Sequence, residues 1–175
     1  MIYIGFSTPN KWKIGAEAIK WWTKSPYSHV YIRFESSNEK VPSTVYHAAH
    51  GMVHFRSYEN FLKDNKIIKE YKIEVLPSDR MDVLVHCMNI SGDPYGFCEL
   101  IKIFVMDVAH WAGKEVKFEN GSGYICSELV GTILQQKWQY KFDKPLHLLK
   151  PNDIDKALEN FTATAPAAPQ PKRTI

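Results

Sequence analysis

The spacing of apolar positions changes period several times along the chain, and each change marks an element. Residues 1–7 alternate and predict a strand, whereas Ile14, Ala18, Trp21 and Trp22 recur at i, i+4, i+7 and i+8, the spacing of an amphipathic helix. From Ser28 the period becomes two: Val30, Ile32 and Phe34 share one face, and His29, Tyr31 and Arg33 share the other. His29 therefore points away from the most apolar face. After the polar loop SSNEKVPS, residues 44–49 predict a strand with Val45, His47 and Ala49 on one side. His50-Gly51 reads as a tight turn into a strand over Met52 to Arg56. Ser57 is placed to cap a short helix carrying Tyr58, Phe61 and Leu62, and KIIKEYKIEV returns to alternation. Four or five strands are thus expected.

The second half of the chain is helical in period. Ser78 reads as an N-cap, Met81, Leu84, Val85 and Met88 mark one face, and Gly92 ends the helix. Phe97, Leu100, Ile101, Phe104, Val105 and Val108 line a longer helix that Gly113 stops. The loop KFENGSG leads to Tyr124-Ile125-Cys126-Ser127-Glu128, followed by Leu129, Val130, Ile133 and Leu134 at helical spacing, so Cys126 falls where a helix begins. Pro151 and Asn152 open a last short helix with Ile154 and Leu158. The Ala/Pro-rich end TATAPAAPQPKRTI has few side chains to pack and reads as an extended tail. The expectation is one α+β domain over residues 1–161, an antiparallel sheet packed against helices, with a flexible tail over 162–175.

Composition narrows the classes. With 175 residues, 45% apolar and 23% charged, the chain can bury a sizeable core, and it lacks the long apolar run of a membrane span. The net charge of +3 falls to +1 over residues 1–161 once Lys172 and Arg173 are set aside, and no concentrated basic stripe calls for a nucleic-acid partner. No basic n-region and apolar core of a signal peptide follows Met1, and three cysteines without CxxC spacing suit a reduced compartment, so a cytoplasmic location is expected.

Cys126 is the best candidate nucleophile. At a helix N-terminus a thiolate is stabilised by the dipole and by N–H groups that can also receive an oxyanion. A lone cysteine is more often a small core residue, and Cys87 and Cys98, inside apolar helices, fit that description. A nucleophilic thiol needs a base oriented by a third polar group. His29 and His47, on neighbouring strands and able to face the same side, can supply the pair. A metal reading of His47, His50 and His54 is disfavoured, because positions 47 and 50 of a strand face opposite sides and no carboxylate or thiol is spaced to complete a shell.

The blocks SPYSHVYI, VYHAAHGMV, GDPYGF, YICSELV and LLKPNDI, in this order, resemble the circularly permuted NlpC-type papain-like family. The similarity is strongest to its YiiX-like branch of thiol hydrolases, with lecithin:retinol acyltransferase a more distant relative. The resemblance runs from the first strand to about residue 160. It implies a permuted papain-like fold in which Cys126 is the nucleophile, His29 the base, His47 the third polar residue and Tyr124 a tyrosine at the oxyanion site. Asp93-Pro94-Tyr95 resembles a block that packs beside the cleft, with Tyr95 in a structural role. The YiiX-like branch commonly has a glutamate where this chain has His47, which looks more like the acyltransferases and the ordinary NlpC peptidases.

The reaction so implied is acyl transfer from an amide or ester through a thioester that water resolves, with no cofactor and no metal. Cell-wall peptides, amino-acid amides and lipids are the substrate classes, and oligomeric state is left open. Transfer to an amine or alcohol is the rival within acyl chemistry. A non-catalytic binding module within a larger assembly such as a phage particle is the rival outside it. Trp12, Trp21 and Trp22 are expected in the core, since tryptophans at helical spacing usually are; an exposed set would instead suit a partner or membrane surface.

Overall fold

The computed structural model describes residues 1–49, 51–115 and 123–164, with side chains outside 97–101 and 161–164. Five strands form one antiparallel sheet in the order β4-β3-β2-β1-β5: β1 Ile2–Pro9, β2 His29–Phe34, β3 Thr44–Ala49, β4 Met52–Ser57 and β5 Asn65–Ile73. Six helices surround it, α1 Ile14–Thr23, α2 Tyr58–Asp64, α3 Pro77–Asn89, α4 Phe97–Trp111, α5 Cys126–Trp138 and α6 Pro151–Thr164. The α+β class and the antiparallel sheet packed on helices are as the periodicity implies. His50 and residues 165–175 of the expected tail lie outside the described residues, and α6 itself continues to Thr164.

The strand alternation sorts the sheet into two faces of different chemistry. On one, Ile4, Phe6, Val30, Ile32, Phe34, Tyr46 and Ala48 bury themselves against Val83 and Cys87 of α3, Leu129, Val130 and Ile133 of α5 and Ile154 and Leu158 of α6. This is the main core. On the other, Tyr31 and Val45 pack on Phe61 of α2. Beside them Arg33 forks onto Glu70 through Nε at 2.9 Å and Nη2 at 2.7 Å, and its guanidinium stacks 3.8 Å from the ring centre of Tyr3. Tyr31 reaches the same carboxylate, with its hydroxyl donating at 2.7 Å across the intervening Gly5, which pairs with Tyr31 on one side and Glu70 on the other. A Cβ at position 5 would fall inside the Tyr31 ring, so only glycine lets the phenol cross the strand.

Two helices turn only part of the expected stripe inward: Trp22 of α1 and Leu84 of α3 pack on apolar clusters, and the rest of each stripe does not. In α3 the buried side chains are Val83 and Cys87, while Met81, Val85 and Met88 face outward. In α1 Ala16 and Trp22 are buried, while Ile14 and Trp21 are exposed. Each helix carries apolar residues on both sides, so period alone could not choose between two stripes. The start of α3 also differs: Pro77 is its first residue, where a missing N–H costs nothing, and Leu76 rather than Ser78 holds the cap position.

Helix α6 is tied to the sheet by Asp155, which accepts hydrogen bonds from the hydroxyls of Tyr27 and Tyr71 at 2.6 Å each and from Lys69 Nζ at 2.9 Å. Burial alone would raise this carboxyl, but the three donors and the Lys69 charge outweigh it and hold Asp155 below its ordinary value of 3.8. A depressed carboxyl adds stability above its unfolded-state pKa and loses it as pH falls toward the folded value. Asp155→Asn is therefore expected to cost about 1–3 kcal/mol at neutral pH, and in urea unfolding its stability should converge on that of the wild type in acid. Curves that stay parallel through the acid range would show that the carboxylate charge contributes nothing.

Candidate active site

The site is built where β2 and β3 stop pairing. Their ladder covers Ile32↔Tyr46, Arg33↔Val45 and Phe34↔Thr44, although the strands run on to His29 and Ala49. On either side pairing continues, to Ser7↔His29 between β1 and β2 and to Ala49↔Met52 between β3 and β4. At this open end the N-terminus of α5 comes down on the sheet, and Cys126 is its first residue. The N–H of Val30 on β2 hydrogen-bonds the Cys126 sulfur, as do the N–H groups of Ser127 and of Cys126 itself. The sulfur thus sits beside the backbone of the residue that follows His29. Ser127 locks the helix start by donating to Leu149 O at 2.5 Å.

The segment leading into α5 is held from the other side. Gly92 N–H donates to Val53 O and Val53 N–H to Asp93 O, at 2.8 and 2.9 Å. Tyr95 N–H donates to Gly51 O at 3.0 Å, and Tyr124 N–H donates to Pro94 O at 3.0 Å. The GDPYG block is thus a short strand-like strip between the β3–β4 hairpin and Tyr124. Gly96 and Gly123 approach so closely that a Cβ on Gly123 would lie 2.6 Å from the Gly96 nitrogen. Small residues are required at that crossing.

His29 and His47 meet. Their rings stand edge to face at 5.2 Å, with His29 Nε2 and His47 Nδ1 3.1 Å apart, a hydrogen-bond distance. The strand register makes them diagonal neighbours on the face opposite the main core, and Phe61 of α2 lies edge-on to the His47 ring at 5.2 Å. His47 is 2% exposed, whereas His29 is half-buried. His54, directly opposite His47 in the β3–β4 register, adds a third ring at 4.6 Å. Among the described residues no group of three or more His, Cys, Asp and Glu side chains is arranged to hold a metal ion.

Tyr95 and Tyr124 both pack against the core cluster that includes Cys126. Tyr124 packs on the main core and its phenol lies within electrostatic reach of the Tyr46 hydroxyl. The phenol of Tyr95 is the one within electrostatic reach of the Cys126 sulfur, and burial first, then that sulfur, pushes its pKa up. Nothing in the spacing around Tyr95 marks it for this place; backbone contacts to Gly51 of the hairpin and to Tyr124 bring it there.

Cys126 is 2% exposed, and burial pushes its thiol above the ordinary value of 9.0 against the pull of the three N–H groups. Burial thus favours a neutral thiol at rest over the thiolate expected from the helix N-terminus alone. Cys87, fully buried and with no charged partner offsetting its burial, is pushed up to about 12. The side chain of Cys98 lies outside the description. No protein-family model, curated protein or solved structure matches this chain.

Iodoacetamide labelling of Cys126, read on the YICSELV peptide, should accordingly be slow at pH 6 and rise only in the alkaline range, with Cys87 unlabelled throughout. Fast labelling at pH 6 would contradict the neutral resting thiol.

Proposed function

We propose that the protein is a cysteine-dependent hydrolase of amide or ester bonds with a permuted papain-like arrangement, acting through a thioester on Cys126. The observation that supports this reading is the convergence of three backbone N–H groups on the Cys126 sulfur at the head of α5, one of them from Val30, the residue after a strand histidine whose Nε2 is engaged by His47.

The chemistry follows from the atoms available. With Nε2–H donating to His47 Nδ1, His29 keeps Nδ1 as the nitrogen that takes the thiol proton as the sulfur attacks a carbonyl. A neutral thiol makes this base necessary in the attack step. The N–H groups of Cys126 and Ser127, which bond the resting sulfur, are placed for negative charge building on the carbonyl oxygen, and the Tyr95 hydroxyl is a further donor near the reacting atom. The imidazolium of His29 then protonates the leaving amine or alcohol. Water attacks the thioester with His29 again accepting the proton, and the acid and the free thiol are regenerated. His47 steadies the imidazolium through Nε2–H. Cell-wall peptides, amino-acid amides and lipid esters are the substrate classes that the family resemblance supplies.

A panel of peptide amides, aminoacyl amides and acyl esters tests the reading. Cys126→Ala should abolish turnover of any hydrolysed member, a loss of roughly a thousandfold or more, and His29→Ala should lower it by about a hundred- to ten-thousandfold. His47→Ala should cost less and be partly restored by His47→Asn, which offers Nε2–H an acceptor. Hydrolysis that survives in folded Cys126→Ala, or a panel without a single substrate, would favour a binding module that keeps the fold.

A further inference from the structure

Most of the stripe of α1 that the periodicity assigns to the core, Ile14, Ala18 and Trp21, is on the outside of the protein. Ile14 and Trp21 are 72% and 71% exposed, and Trp12, just ahead of the helix, is 72% exposed. Ala18 lies between them at i+4 and is also exposed. Trp22 takes the inward position, where Phe104 of α4 meets its ring edge-on at 5.5 Å and Asp107 accepts its indole N–H at 2.8 Å. The outward side chains together expose roughly 400 Å² of largely apolar surface, the size of the largest patch on a typical monomer, which is often a functional one. On the neighbouring α4, Val105, Val108 and Trp111 are exposed as well.

The charge is concentrated in the same stretch. Residues 11–24 hold Lys11, Lys13, Lys20 and Lys24 against the single acid Glu17, a local charge of +3 that equals the net charge of the whole chain. Lys20 is paired with Glu17 at 2.6 Å. Lys11, Lys13 and Lys24 make no ion pair among the described residues. The exposed apolar stripe of α3 is unlike this one: Leu76, Met81, Val85 and Met88 contain no tryptophan, and Asp79 and Asp82 accompany Arg80 there.

We propose that the Trp12–Ile14–Trp21 face of α1, rimmed by Lys11, Lys13 and Lys24, docks the protein on an anionic lipid bilayer. Indole rings settle at the headgroup level, where their apolar body and N–H both find partners, and lysine stems lie along the apolar surface while the ammonium reaches lipid phosphate and carboxylate. Helix α1 has 10 residues, too short to span a bilayer and suited to lie in its plane. Lysines that make no ion pair among the described residues match a surface of uniform negative charge better than a protein patch of mixed sign. Trp22, on the reverse of the same helix, clusters with Ile103 and with Ile125, the residue before Cys126, so docking would bring the α5 end of the molecule close to the bilayer.

Co-sedimentation with vesicles of phosphatidylserine and phosphatidylcholine tests the proposal without recourse to turnover. The full chain should bind these vesicles, weaken in high salt, and bind vesicles of phosphatidylcholine alone much less. Trp12→Ser with Trp21→Ser should reduce partitioning by about tenfold or more, and each of Lys11→Ala, Lys13→Ala and Lys24→Ala by roughly fivefold. Met81→Ser with Met88→Ser on α3 should bind like the wild type. All substituted side chains are exposed, so thermal unfolding should be unchanged and confirms that each variant is folded. Absence of wild-type binding, equal binding to neutral vesicles, or full binding by the folded tryptophan variant would overturn the proposal. So would a concentration-dependent dimer lost in the tryptophan variant without vesicle binding, which would make the face a protein contact.

Discussion

The hydrogen bond from the Val30 N–H to the Cys126 sulfur fixes more of this structure than any other single contact at the site. It pins the first residue of α5 to the second residue of β2, so the thiol lies on the core face of that strand while the preceding residue, His29, turns its ring to the other face. It requires β2 and β3 to part beyond Ile32↔Tyr46, which also lets the His29 and His47 rings lean together at 3.1 Å. It buries the thiol, and burial raises its pKa while the converging N–H groups partly offset the effect. The position of the thiol and its protonation state thus share one geometric cause.

The two faces of the sheet divide the work. The apolar face gives α5 a rigid seat through Leu129, Val130 and Ile133, so the thiol is held by the most buried part of the molecule. The polar face carries the row His29, His47 and His54 with Phe61 against it, and beside it the Tyr31, Arg33 and Glu70 network that spans β2 to β5 across Gly5. A buried guanidinium bonded at two points and stacked on Tyr3 leaves little freedom to the strand that presents His29. The GDPYG strip completes the enclosure by linking the β3–β4 hairpin to Tyr124 and delivering Tyr95 to the sulfur.

What the sequence made legible was whatever depends on neighbours along the chain. Period-two alternation put His29 and His47 on one face of adjacent strands, and the helical spacing after Ile125 put Cys126 at a helix start. Where two apolar stripes share one helix, as in α1 and α3, the choice between them is made by tertiary packing, and Ile14, Trp21, Met81 and Met88 ended outside. Contacts between distant positions left no local trace: Arg33 with Glu70, Asp155 with Tyr27, and Tyr95 with Cys126 are set by topology. Packing in α1 also leaves Trp21 on the surface, with Trp12, Lys11 and Lys13 exposed just ahead of the helix and Lys24 just after it.

The account stands on Cys126 forming a covalent acyl bond with the help of His29. Intact-mass analysis during reaction with p-nitrophenyl acetate, followed by peptide mapping, addresses that bond directly. The account predicts one acetyl group on the YICSELV peptide, formed in a burst with p-nitrophenol release and strongly slowed in His29→Ala. Release of p-nitrophenol without acetylation at Cys126, or acetylation there at the same rate with and without His29, would contradict it.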